Sequence, residues 1–269
     1  MQSTTVSAHE GFLSAEFALT VAKIRRDHST WFGVLTTANR LAMDVLTRLK
    51  PGTADNQKVL EAVFYARGLQ SIQAVVLLAK RGMTSDARTL LRACVETAIL
   101  QCKISRDAKF ADKLAERHDY HRRALGNAAL SDPQIVNPMH PGDAEAIRAT
   151  VDEINSRYPG RKPTDIKLAE IAESVNGMHL YNLFFRPMSG DAAHGNFDAL
   201  NRHVVTGEHG EMTGLSFGPQ VGELADTLSA TISVLLHILD TAIESFELAQ
   251  FRTPLANCLD AWKALVASR

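Results

Sequence analysis

Apolar residues recur at three- and four-residue spacing along most of this 269-residue chain, and the pattern predicts helix after helix. Phe12 to Ile24 and Trp31 to Leu49 carry the first two apolar stripes, and Pro51-Gly52 punctuates their end. Leu60, Val63, Phe64, Ile72, Val75, Val76 and Ala79 mark a third helix. It ends near Arg81-Gly82, where glycine suits the position after a helix. Thr84 or Ser85 is placed to cap the fourth helix, and Asp86 favours its positive end. Leu90, Leu91, Cys94, Val95, Ala98 and Cys102 give that helix the broad apolar face of a central bundle helix.

Asp107 to Leu125 continues with Phe110, Leu114, His118, His121 and Leu125 on one stripe. Residues 126–163 differ: Pro133, Pro138, Pro141, Pro159 and Gly160 surround one polar helix from Asp143 to Ser156. This predicts a proline-rich excursion packed over the bundle, not a second domain. Thr164 and Asp165 are expected to open a helix carrying Leu168, Ile171, Ala172 and Val175, which Asn176-Gly177 ends. Residues 203–219 are rich in glycine, with β-prone Val204-Val205 and Leu215 to Phe217, a pattern for a small hairpin. A long helix from Val221 to about Ala249 bears Leu224, Leu228, Ile232, Leu235, Leu239, Ala242 and Phe246, and Leu255 to Val266 adds a tail helix. The expected fold is all-α: a single-domain bundle of about six to eight helices over residues 1–269. Its core spans 57–250, with helices in 12–50 packed on it.

Composition narrows the function classes. Apolar residues at 45% and charged residues at 22% are ordinary for a soluble globular chain. A formal net charge of −1 gives no global attraction to polyanions, so nucleic-acid binding would need a local basic patch. The densest one, Arg117, His118, His121, Arg122 and Arg123, is diluted by Asp112, Glu116 and Asp119. Cys94, Cys102 and Cys258 are odd in number and lack metal-site spacing, so they read as buried thiols in a reducing compartment. Met1 to Glu10 lacks a signal-peptide layout, and no unbroken apolar run approaches the ~20 residues that span a bilayer. A cytoplasmic protein without a membrane segment is expected, and a bundle of this apolar character suits a homodimer. No Walker loop, Rossmann fingerprint or zinc ribbon is present, and no cofactor is expected.

The candidate chemistry concentrates in Leu180 to Gly195, L-Y-N-L-F-F-R-P-M-S-G-D-A-A-H-G. An aromatic helix there runs toward Arg186, Ser189, Asp191 and His194 at an expected helix break. Together these side chains suit phosphate binding or proton transfer. His194 titrates in the right range for acid–base work; equally, it suits a structural bond to a carbonyl or to Glu96. Ser189, in P-M-S-G-D, has no nucleophile elbow and is placed to cap the turn after Pro187. Asp191 and His194, and His118 and His121, share metal-compatible spacing, but no second Asp/Glu-x-x-His exists and His237-x-x-Asp240 runs in reverse, so no metal is expected. On the fourth helix Arg88, Arg92, Glu96 and Lys103 fall on one stripe, with Ile99 intruding. Two readings stand. One is a solvated i,i+4 pair worth about 0.2–0.5 kcal/mol. The other is a partly buried Arg92–Glu96 pair that faces the 186–195 block and orders it.

Two segments, Gly82 to Leu100 and Leu180 to Gly195, resemble a bacterial family of uncharacterised all-helical proteins. That family has an R-x-L-L-R-x-x-x-E helix, here Arg88 to Glu96, and a later block carrying Tyr181, Ser189, His194 and Gly195. The likeness runs from about Leu60 to Phe246 and implies an all-helical fold with no assigned activity. A looser similarity is to the HEPN domains, many of them metal-independent ribonucleases of toxin and phage-defence systems, with an R-x4-6-H motif. Arg186 and His194 have seven residues between them and Arg117 and His121 have three, so both pairs depart from that motif. The expectation is therefore a binding or regulatory protein, associated with stress or defence, with a polar site at 186–195. The alternative is a HEPN-like ribonuclease acting on RNA or a nucleotide, with His194 as general base and Arg186 and Arg92 on the phosphate.

Overall fold

The apolar stripes become long helices in the computed structural model, which describes residues 10–15, 17–52, 54–192 and 197–268, the side chains of 191, 192, 198 and 199 excepted. A 3₁₀ turn at Gly11–Leu13 precedes α1 (Phe17–Asp27) and α2 (Ser29–Leu46), followed by α3 (Asn56–Lys80), α4 (Thr84–Arg106) and α5 (Phe110–Ser131). The short α6 (Pro133–Val136) turns the chain into α7 (Pro141–Arg157). Next come α8 (Leu168–Ser174), α9 (Met178–Leu180), a π turn at Tyr181–Phe185, α10 (Arg186–Ala192) and α11 (Phe197–Asn201). β1 (Val204–Thr206) and β2 (Met212–Leu215) form an antiparallel hairpin ahead of α12 (Leu224–Ser245) and α13 (Arg252–Ala267). The fold is all-α with one small hairpin, as expected. Among the described residues α1 to α5, α7, α12 and α13 have eleven residues or more, which makes eight long helices.

Local chemistry explains some boundaries and long-range chemistry the others. Asp55 caps α3 by accepting from the Lys58 N–H, and Gly82 leaves that helix with φ +72°. Asn176, at φ +59°, closes α8 as predicted. Thr84 and Ser85 do not cap α4. Their hydroxyls donate to the Gln220 carbonyl and to Gln220 Oε1, tying the segment before α12 onto the head of α4. Thr164 does not open α8 either, which starts at Leu168. The Thr164 N–H and hydroxyl both donate to Glu116 Oε1 on α5, each at 3.0 Å.

The core is built on α4, where Leu91, Cys94, Val95, Ala98, Ile99 and Cys102 are all buried. α3 lies along it, α12 crosses both, and α2 and α13 cover α12. Gly68 sits at the crossing, where an added Cβ would meet Ile238 Cδ1 at 3.0 Å and Thr97 Cγ2 at 3.4 Å. Tyr65 donates to the Ala42 carbonyl at 2.7 Å, and Gln101 to the Ile238 carbonyl at 3.2 Å, so buried polar groups also join α3 to α2 and α4 to α12. Glu61 is fully buried, and desolvation raises its pKa despite bonds from Ser245 and Lys58. The three cysteines are buried and free, as expected. By length and composition α3 and α12 are long and apolar enough to cross a bilayer, which a search for unbroken apolar runs misses; 72% of the α12 window is buried inside the bundle.

The helix expected at Asp143 to Ser156 is present as α7, and more of the 126–163 excursion is helical than its prolines suggested. α5 continues through Gly126 to Ser131, and α7 returns against it as an αα-hairpin. The predicted stripe on α5 holds only over its first turns, where Phe110 is buried and Leu114 packs beside it. Farther along, His118, His121 and Leu125 are exposed, and the helix buries Asp119 instead. Asp119 accepts from Arg157 Nη1 on both oxygens at 3.1 Å and from the Tyr158 hydroxyl at 3.0 Å, which fastens the far end of α7 to α5. Glu116 holds the return strand of chain in the same way, through Arg161 and Thr164.

The Arg161 hydrogen bond, followed by the Thr164 donors, lowers the Glu116 pKa to about 2. A carboxyl depressed in the folded state stabilises it above the unfolded pKa, and that stability is lost as pH falls through the folded pKa. Between pH of about 5 and about 2, denaturation midpoints of wild type should therefore fall more steeply than those of Glu116→Gln and converge on them at the acid end. Parallel curves would show that Glu116 carries no linked stability.

Candidate functional site

The segment read as a helix break is continuous helix through its described part, from α9 across the π turn to Ala192. Pro187 accounts for the irregularity. It has no N–H for the carbonyl one turn back, and its ring crowds that carbonyl, so the preceding turn widens. The widened turn stacks Tyr181 on Phe185, with ring centroids 5.2 Å apart and planes 17° from parallel. Ser189 follows one turn later and donates to the Phe185 carbonyl at 2.7 Å. It is a mid-helix hydroxyl bonding back to its own helix, not the cap expected from sequence.

Arg92 closes on this segment from α4. Its guanidinium lies over the Phe185 ring, 4.2 Å from the centroid, and its Nε donates to Ser189 Oγ at 3.0 Å. The Ser189 hydroxyl thereby acts both as donor to Phe185 and as acceptor from Arg92. The clasp fixes the π turn and α10 against one turn of α4.

Arg92 faces the 186–195 block through Ser189, as the second reading expected, but no ion pair joins it to Glu96. Glu96 accepts from Arg117 Nη2 on α5 at 2.8 Å. Arg117 Nε also lies 3.3 Å from Asp165, whose carboxylate is 3.6 Å from His121 Nε2. Arg88 reaches Glu223 at 3.2 Å, a carboxylate shared with Arg202 at 2.9 Å, and Lys103 reaches Asp107 at 3.0 Å. Thus the charged stripe of α4 faces four different segments. Arg117, Asp165 and Glu223 were absent from the sequence-derived site; sequence alone offers no local signal that pairs them with α4. Arg186 is exposed, with no hydrogen bond or ion pair among the described residues. His194, Gly195 and the Asp191 side chain lie outside the described residues. The structure therefore brings together Arg92, Ser189 and the aromatic pair containing Tyr181, and it sends Glu96 and Arg88 elsewhere.

A second polar grouping was not singled out from sequence. His179 on α9 and His237 on α12 meet edge to face, with ring centroids 6.1 Å apart. Burial, then the His179 and Arg106 charges, hold the His237 pKa down at about 4. Among the described residues no group of three or more His, Cys, Asp or Glu side chains could hold a metal ion.

The family described as Family of unknown function (DUF5677) matches residues 59–212, from α3 into β2, a range that holds Arg92, Glu96 and the whole 180–195 segment. No curated protein and no solved structure matches the chain.

The clasp makes a quantitative prediction. Arg92→Ala and Ser189→Ala, combined in a double-mutant cycle by chemical denaturation, should show a coupling of about 0.5–1.5 kcal/mol. Arg92→Ala combined with Glu96→Ala should be additive within error. A zero coupling in the first cycle, or a large one in the second, would reverse the assignment of partners.

Proposed function

The chain belongs to DUF5677, a family of unknown function, and we propose that within it this protein is a binding or regulatory protein, cytoplasmic and homodimeric, whose polar stripe on α4 locks helices together instead of catalysing a reaction. One observation carries this reading. The Arg92 guanidinium lies over the Phe185 ring and commits its Nε–H to Ser189, so the side chain is engaged in a contact between two helices. Ser189 takes part in the same contact, and Glu96 accepts from Arg117 on α5. A role in stress or defence fits a helical binding protein and remains part of the proposal.

The second reading is the HEPN-like ribonuclease, and Arg186 is the observation in its favour. It is an exposed arginine without a partner among the described residues, in the same segment as His194. In that scheme His194 takes the ribose 2′-hydroxyl proton and Arg186 binds the phosphate. Incubating RNA with the full-length protein in EDTA separates the two. The binding reading expects intact RNA with wild type and with His194→Ala alike. Cleavage by wild type that His194→Ala abolishes would establish the ribonuclease.

A further inference from the structure

α9, α12 and α13 enclose a cavity of about 380 Å³, away from the clasp on α4. Leu180, Leu236, Leu255 and Leu259 form an apolar box, and Trp262 forms part of the wall. The indole is held in place by a 3.1 Å bond from its Nε1 to Ser229 Oγ. The volume falls at the lower end of the range for small-molecule sites, about 300–1,000 Å³.

The polar groups of this cavity have bonding capacity left over. Asp240 follows His237 by one helical turn, and Arg252 opens α13. They pair through a single 3.0 Å bond, Nη1 to Oδ1, with side chains 50% and 54% exposed. A pair this open is worth about 0–1 kcal/mol, so it rearranges at little cost. It leaves further N–H donors on the guanidinium and a second oxygen on the carboxylate. His237 also lines the cavity, and its Nε2 is buried with no hydrogen-bond partner among the described residues. The His179 Nδ1 donates to the Asn176 carbonyl at 3.2 Å, so its ring, when neutral, presents Nε2 as an acceptor.

A positive and a negative group side by side at an apolar box are complementary to a zwitterion with an apolar body. A singly charged ligand would meet the like charge of the neighbouring residue. We propose that this cavity binds a free aromatic α-amino acid, with its carboxylate on Arg252, its ammonium on Asp240 and its ring between the leucines and Trp262. The carboxylate gains charge-assisted hydrogen bonds from a planar donor suited to it. The ring gains offset or edge contact with the indole. A phenol hydroxyl or indole N–H supplies the missing bond of His237 with a small turn of the imidazole. Tyrosine and tryptophan therefore fit better than phenylalanine.

Titration of the full chain with L-tryptophan and L-tyrosine, followed by calorimetry or by nuclear magnetic resonance shifts, tests the site. L-tryptophan should bind at millimolar concentration or below. Tryptamine, which lacks the carboxylate, and indole-3-propionate, which lacks the ammonium, should each bind about tenfold more weakly. Arg252→Gln and Asp240→Asn should each weaken L-tryptophan binding about tenfold, with unchanged melting temperatures. No binding of either amino acid at millimolar concentration overturns the assignment, and so does equal binding of the truncated analogues. If a variant fails to fold, the analogue comparison on wild type still decides.

Discussion

The charges on α4 set the terms for everything packed around that helix. Arg88, Lys103 and Glu96 keep 15%, 21% and 27% of their side chains exposed, and a partly desolvated charge is favoured where it meets a partner. Arg88, Arg92, Glu96 and Lys103 are matched by four separate segments: Glu223 ahead of α12, Ser189 and Phe185 beside α10, Arg117 on α5, and Asp107 just beyond α4 itself. The hydrophobic core draws the helices together without direction. These four contacts decide which segment rests on which turn.

Arg92 carries the most specific of them. A planar guanidinium can lie on the Phe185 ring while its edge N–H meets a hydroxyl, and a lysine ammonium cannot do both. The geometry also depends on Pro187, which widens the turn that displays Phe185 and Tyr181. Sequence, local distortion and packing thus converge on one contact between α4 and the segment leading into α10. The cavity between α12 and α13 shows the opposite character. Its ion pair is half exposed, and the His237 Nε2 is left without a bond.

Much of the fold was legible because the 3.6-residue period survives in α2, α3, α4 and α12, and because Val204-Val205 and the glycines around 207–214 announce the hairpin. The failures share a cause. Thr84, Ser85 and Thr164 follow capping rules for the nearest helix, yet Gln220 and Glu116, distant in sequence, took their hydroxyls. Arg92 and Glu96 have the spacing of an i,i+4 pair worth a few tenths of a kcal/mol, and partners from other helices outbid it. Pro187 looked like a stop, but the helix absorbed it in a π turn. Leu125 looked like core, but α5 leaves the bundle to pair with α7 at Asp119. Periodicity reports which face is apolar; it does not report which distant polar group arrives.

Hydrogen–deuterium exchange of Arg92→Ala against wild type tests the clasp most directly. If Arg92 holds the π turn and α10 onto α4, amides of residues 181–192 should exchange faster in the variant, while those of α12 and α13 keep their protection. Unchanged exchange across 181–192, or acceleration spread evenly over the whole bundle, would contradict a local lock at that position.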